Sequence, residues 1–253
     1  MKYDLTVVLP SIRKERLPEF WNSLIWAVGP KYKCQLIIVS PYDLPEQLLG
    51  IPNISILQDF GSPARCIQMG SLLAEGEFIT WSSDDGLYYE NSLESCIDLL
   101  KTKHDEDGII VRYSEGVGRT GQEPPSNYWD AWTHPDLRMQ FVEKHWKIAP
   151  VGMYRTKRFY DLGGLDCRFE HANMNSHDLA FRSQADSGLF FESPTVVMGC
   201  DQMPGWSGDH GPIEDAYWKN DKELFANTWS NIRQKRIDFN NWKDAPAVWR
   251  RFK

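Results

Sequence analysis

Short apolar runs and helical periodicities alternate through the first half of the chain. Leu5-Thr6-Val7-Val8-Leu9 has strand length and is closed by Pro10. From Pro18 to Val28 the apolar positions Phe20, Leu24 and Ala27 fall on one helical face, and Gly29-Pro30 stops the run. Gln35 to Val39 and Ile54 to Leu57 read as second and third strands. Pro63 to Ala74 predicts a helix with Ile67, Gly70 and Leu73 inward. Phe78-Ile79-Thr80-Trp81 is a fourth strand. Asn91-Ser92-Leu93-Glu94 has the form of a capping box opening a helix to about Lys103, and Ile109-Ile110-Val111 is a fifth strand. This alternation predicts a parallel sheet covered by helices.

The pattern changes near Gly116. A Gly/Pro-rich loop to Tyr128 precedes an aromatic, helix-like stretch, a strand near Val151 to Tyr154 and a turn at Gly163-Gly164. Ser176 is suited to cap a helix to about Asp186. Strands are expected at Leu189 to Phe191 and Thr195 to Met198. A polar loop, "CDQMPGWSGDHGPIED", leads to a helix from about Asp215 to Trp229. The division expected is one domain over 1–229, with a parallel half at 1–115, a smaller mixed half at 116–229, and a tail at 230–253.

Net charge is −7 with the acids spread along the chain, which argues against a broad nucleic-acid footprint. The five cysteines are widely spaced and form no CxxC pair, so buried thiols in a reducing, cytoplasmic setting are expected rather than a disulfide framework. No signal peptide is read at the start, and no apolar run has the length of a membrane span. Eleven tryptophans suit either an aromatic core or stacking platforms in a cleft.

The chemistry concentrates in "GEFITWSSDDG", where a buried strand ends in two adjacent carboxylates, Asp84 and Asp85. In open parallel sheets ligands bind beyond the carboxyl ends of the strands. The simplest partner for such a pair is a divalent cation of the Mg or Mn type, which takes oxygen ligands and bridges to phosphates. Asp-Asp-Gly also forms ordinary turns.

The flanking residues resemble a known family. "GSPARCIQMGSLLAEGEFITWSSDDGLYYENSLE" is similar to the nucleotide-sugar region of family-2 glycosyltransferases of the GT-A fold. "LGGLDCRFEHANMNSHDLAFR" resembles the same family's Gly-Gly-hydrophobic-Asp segment leading to an acid at a helix start, and "VVLPSIRK" its first strand and loop. The resemblance implies a metal-dependent, inverting transfer of a sugar from a nucleotide diphosphate donor to an acceptor hydroxyl of unknown identity. Pro10 and Ser11 would border the donor, Asp84 would lie at the ribose, and Asp85 would ligate the cation. Arg65 would hold a phosphate, though it is equally suited to a helix surface. Asp178, read two residues after the Ser176 cap, would be the general base, kept ionised by the helix end; acids are also common in first turns. His177 sits where many relatives carry an acid, at the sugar or acceptor. His210 is a candidate third metal ligand and Trp206 a candidate sugar platform, each with an ordinary loop role as the alternative. Many relatives carry a base-reading acid directly after the second strand. Here Ser40-Pro41-Tyr42-Asp43 follows it, so Asp43 from a shifted position, or Tyr42 by stacking, is expected to take that part. A nucleotidyltransferase making a nucleotide sugar and a non-catalytic glycan-binding protein of the same fold are the rival readings. The loop after the first strand, Ser11 to Arg16, is basic but has no glycine, which counts against the nucleotidyltransferase.

Overall fold

A computed structural model describes residues 2–115, 146–200, 211–232, 235–243 and 245. The predicted alternation of the first half is present. In order come β1 (Tyr3–Pro10), α1 (Leu17–Val28), β2 (Cys34–Ser40), β3 (Ile54–Gln58), α2 (Pro63–Ser71), β4 (Gly76–Trp81), β5 (Gly86–Tyr88), α3 (Ser92–Lys101), β6 (Gly108–Ile110) and β7 (Tyr113–Glu115). Beyond residue 145 follow β8 (Gly152–Arg155), α4 (Thr156–Asp161), α5 (Ala172–Ala185), β9 (Phe190–Glu192), β10 (Met198–Cys200) and a continuous helical run at 211–232 that mixes α and π turns. The predicted loop from Gly116 to Tyr128 and most of the aromatic stretch after it lie outside the described residues.

Seven strands form one sheet in the order β3-β2-β1-β4-β8-β6-β9. β3, β2, β1 and β4 run parallel to one another, β8 runs antiparallel between β4 and β6, and β9 is parallel to β6. A second sheet, β5-β10-β7, stands beside it. The run of apolar residues in β1 and β2 has a physical cause: both faces of these strands are covered. Leu5, Val7, Leu9, Leu36 and Ile38 point to one face with Phe20, Leu24, Leu93 and Ile97 of α1 and α3. Val8, Ile37 and Val39 point to the other, with Ile67 of α2 and Leu179 of α5. Each such side chain contributes about 1.5–3 kcal/mol by burial. Phe169, Phe181, Phe225 and Trp229 make a third, aromatic cluster that joins α5 to the helical run.

Several expected details differ. The helix at α2 stops at Ser71, so Leu73 lies past its end and is half exposed rather than inward. Asn91 takes a left-handed conformation (φ 56°) and its side chain makes no cap, so the capping box is not formed. Glu94 instead fills the space over Gly29, whose positive φ ends α1. The last predicted strand begins at Met198, not Thr195. From the expected tail, Phe239 packs its ring on Tyr160 at 4.8 Å and its carbonyl accepts from Gln68 Nε2 at 2.8 Å.

Candidate active site at the crevice between β1 and β4

The chain lays β2 and β3 on one side of β1 and then crosses to lay β4 on the other. The crevice beyond the carboxyl ends of β1 and β4 is therefore the topological switch point of the sheet, where doubly wound folds bind ligands. Val8 and Trp81 close the pairing of these strands, and Ser82 N donates to Val8 O at 3.1 Å. Two residues later the carboxylates arrive.

Asp84 is almost fully buried and fully occupied. Its Oδ2 accepts from Ser11 Oγ at 2.8 Å and from the backbone N–H groups of Ile12 and Arg13, both at 2.9 Å. Its Oδ1 accepts from the Arg13 guanidinium. Successive N–H groups converging on one anion make a small nest that fixes the loop after β1. Asp85, the next residue, is 6% exposed, and its Oδ1 is buried with no hydrogen-bond partner. Gly86 then enters β5, so close to β10 that a side chain there would overlap the end of Met198 and crowd Cys200 Sγ. The carboxylate pair is thus strapped between the two sheets.

An orphaned carboxylate oxygen costs about 1–3 kcal/mol or more, a cost that a bound cation removes. Asp85 fits an oxygen-preferring divalent ion. Among the described residues no group of three acidic, histidine or cysteine side chains gathers to complete a cage. A cation held by one or two protein carboxylates, with phosphate and water completing its shell, is the mode in which Mg binds. Trp206 and His210 lie in 201–210, outside the described residues.

The structure brings Pro10, Ser11, Asp84 and Asp85 together. Arg65 does not join them. Its guanidinium is committed to Asp59 (Nε to Oδ2 3.0 Å) and donates to the carbonyls of Trp242 and of Ala245, the latter at 2.8 Å. The expected phosphate clamp is therefore a tie between α2 and the C-terminal stretch. Asp59 follows β3 directly and also accepts from Gly61 N at 2.9 Å, a placement with no motif in the sequence to mark it. Asp43 is exposed beyond β2 and accepts from Gln58 Nε2 at 2.8 Å, and Tyr42 is 45% exposed beside it.

Asp178 is also corrected in place. α5 begins at Ala172, and His171 Nδ1 caps it by accepting from Asn173 N at 3.2 Å. Ser176 is inside the helix and caps nothing, so Asp178 stands in the second turn, beyond the first-turn reach of the helix end. Its Oδ2 accepts from Arg182 Nε at 2.7 Å and its Oδ1 from Trp229 Nε1 at 3.0 Å, with Asp178 1% and Arg182 0% exposed. Burial pushes the Asp178 carboxyl above the usual range, against the pull of Arg182. Arg182 also donates to Leu162 O and Gly164 O, each at 2.6 Å. Those carbonyls belong to the predicted glycine turn, where Gly163 and Gly164 have φ of 86° and 67°. The segment that looked catalytic is here a buried ion pair latching α5 to the turn. In this arrangement Asp178 is 1% exposed and each of its oxygens accepts one hydrogen bond, so it faces neighbouring side chains rather than an open cleft. His177 is buried beside it on α5.

Arg13 has no local signal in the sequence: it is one of several basic residues in the loop after β1, and its partner Asp84 lies 71 residues away.

No protein-family model matches the chain, and no curated protein matches it by sequence. Solved structures do match. Against S. aureus TarS 1–349 in complex with UDP-GlcNAc the TM-score is 0.61 at 17% identity, covering 90% of this chain and 68% of that one. Against a longer S. aureus TarS chain it is 0.56 at 17% identity, covering 86% and 40%. Against GalNAc-T7 with UDP, GalNAc and Mn2+ it is 0.60 at 12% identity, covering 88% and 49%. This chain thus spans about half the length of GalNAc-T7 and less than half of the longer TarS chain. At such identities the likeness is one of fold, and the fold, with its seven-stranded, mostly parallel central sheet between helices, is that of the GT-A type.

Proposed function

We propose that this protein is a glycosyltransferase that moves a sugar from a nucleoside diphosphate donor to an acceptor hydroxyl, with the donor diphosphate in the crevice between β1 and β4. The observation that carries the reading is Asp85: a buried carboxylate with an orphaned oxygen, at the switch point of a GT-A sheet. TarS in complex with UDP-GlcNAc, and GalNAc-T7 with UDP, GalNAc and Mn2+, have the same fold, which supports a nucleotide-sugar donor and a divalent ion here.

Asp85 would hold the cation, and Asp84 would hold the loop after β1 in the shape that receives the donor. When bound, Mg or Mn supplies Lewis-acid neutralisation of the diphosphate as it leaves. Ser11 and Pro10 would border the donor, and Asp43 or Tyr42, beyond β2, would meet the base. Inversion at the sugar carbon, and roles for His210 and Trp206 as metal ligand and sugar platform, follow the family resemblance. Asp178 is given an architectural role, and the base is left to a group with an accessible acceptor atom.

The test is incubation of the protein with UDP-, GDP- and ADP-sugars and Mn, followed by nucleotide analysis and by NMR of the product anomer. Release of nucleoside diphosphate with an inverted anomer is the expected result. Pyrophosphate exchange would mean nucleotidyl transfer instead, and binding with no turnover would mean a glycan-binding relative of the fold.

A further inference from the structure

We propose that Trp218, with Tyr217 and His171 beside it, is an aromatic shelf on which a pyranose ring of a neutral glycan acceptor stacks. The inference rests on the transferase reading above and names the class of its acceptor.

Trp218 lies in the helical run at 211–232. Phe225 follows it by seven residues and Trp229 by eleven, a spacing that puts all three on one face of an unbroken α-helix. Phe225 and Trp229 are indeed buried in the aromatic cluster on α5, but Trp218 is 65% exposed. The cause is local. Tyr217–Asp221 is wound as a π turn, which rotates Trp218 off that face and puts the Asp221 carboxylate inside. Asp221 accepts from the backbone N–H groups of Glu170 at 2.9 Å and His171 at 2.6 Å, so the π turn is pinned to the segment that leads into α5. The Tyr217 ring lies against His171 with centroids 5.5 Å apart, and Trp218 meets Tyr217 edge-on at 4.9 Å. A single surface tryptophan needs no explanation, but a pinned row of three rings ending in an exposed indole has the form of a binding surface.

The row stands at the end of the sheet that carries Asp84 and Asp85. β9 is parallel to β6, β6 is antiparallel to β8, and β8 is antiparallel to β4, so β9 starts at the amino end of β4. α5 has 14 residues, about 21 Å, and leads into β9 within a few residues. It therefore ends at the amino end of β4 and begins, capped by His171, at the carboxyl end. Trp26, 69% exposed in the last turn of α1, lies at the opposite end, because α1 returns from β1 to the start of the parallel β2.

The chemistry of the row selects its ligand. The flat apolar face of an indole matches the C–H face of a pyranose, and polar groups at its margin match the hydroxyls. Lys222 Nζ, 4.9 Å from the indole centroid, is such a group. A nucleobase also stacks on aromatic rings, but the charges here oppose a polyanion: Asp215 pairs with Lys219 at 2.7 Å, Glu223 adjoins Lys222, and the chain carries a net −7. A neutral glycan meets no such repulsion.

Calorimetric titration of cellohexaose, chitohexaose and maltohexaose into the full chain tests this, with ribitol as a ring-free control and a thymidine decanucleotide as a stacking control. Parent, Trp218→Ala, Trp218→Phe and Trp26→Ala are compared. Parent is expected to bind at least one of the oligosaccharides and neither control. Trp218→Ala should weaken that binding about tenfold or more, Trp218→Phe should keep part of it, and Trp26→Ala should bind as parent does. Should Trp218→Ala fail to fold, Trp218→Phe decides alone: about a threefold or larger loss supports the shelf. No oligosaccharide binding by parent, equal binding by the Trp218 variants, or tighter binding of the oligonucleotide overturns it. Nucleoside diphosphate release in the donor panel is scored separately. Release without glycan binding that depends on Trp218 leaves the transferase reading standing and removes the shelf; such binding without release keeps the shelf as a glycan site and removes the transferase reading.

Discussion

Asp84 and Asp85 are the same residue type, one position apart, in opposite states. Asp84 collects four hydrogen bonds from the loop after β1, and Asp85 has a buried oxygen with none. Their adjacency was legible in the sequence; the division of labour was not, because the donors to Asp84 come from more than 70 residues away. Asp178 shows the converse. Its position near a helix start in a Gly-Gly-Asp segment resembled a catalytic acid, but the same spacing places it one turn before Arg182, and a buried i,i+4 ion pair results. Asp178→Asn leaves Arg182 buried without its counter-charge. It should destabilise the protein by about 3–5 kcal/mol in urea unfolding. A variant as stable as parent yet without turnover would instead return Asp178 to the role of base.

At the scale of elements, the apolar runs and punctuation placed most strands and helices of the first half to within a few residues. Gly29 and Gly163-Gly164, all with positive φ, marked real ends and turns. The errors fell on caps. Ser176 and Asn91 have capping chemistry, but the local geometry used His171 for α5 and left the Asn91 side chain out of the cap of α3. The far end of α5 has its own charge problem. Asp186 is its C-cap, where the helix end disfavours an acid. Partial burial would raise its carboxyl further, but Arg158 at 2.9 Å and Arg236 at 3.2 Å overcome this and hold it below the usual carboxylate range. A depressed folded value means that the unfolded chain binds the proton first. The contribution of Asp186 is therefore present above the unfolded value, about 4, and is lost as pH falls through the depressed folded one. Parent should be more stable than Asp186→Asn at pH 6, and the gap should narrow by pH 3 in parallel denaturant titrations. A gap that stays constant with pH would show that the ion pairs carry no such linkage.

For the whole molecule, the α/β class and the site at one end of a parallel sheet followed from the order of elements. The second sheet did not, because β5, β7 and β10 are three-residue strands whose partners lie far apart in sequence. Nor did the strand order, which makes the crevice between β1 and β4 the switch point. The cysteine expectation can be checked across the fold. All five thiols are buried and none forms a disulfide among the described residues, and burial pushes Cys34 and Cys96 up to about 12. An aromatic disulfide reagent at pH 8 should label none of the five in the native protein and all five after unfolding, because the thiolate is the reactive form. Native labelling at the rate of a free thiol would contradict the packing of that cysteine. Among the described residues no helix is long and apolar enough to cross a membrane.

A metal-bridged diphosphate in the crevice beside Asp85 is what the proposed function requires. Asp85→Ala tests it most directly, because it removes the carboxylate whose buried Oδ1 has no hydrogen-bond partner. Titrate the nucleoside diphosphate chosen by the donor panel into parent and variant, with Mn and with EDTA, and record melting temperatures alongside. Mn is expected to strengthen binding to parent and not to the variant, and the variant to melt at the same temperature or higher, since an orphaned buried carboxylate is gone. Equal Mn-dependent affinity in the two proteins would contradict it.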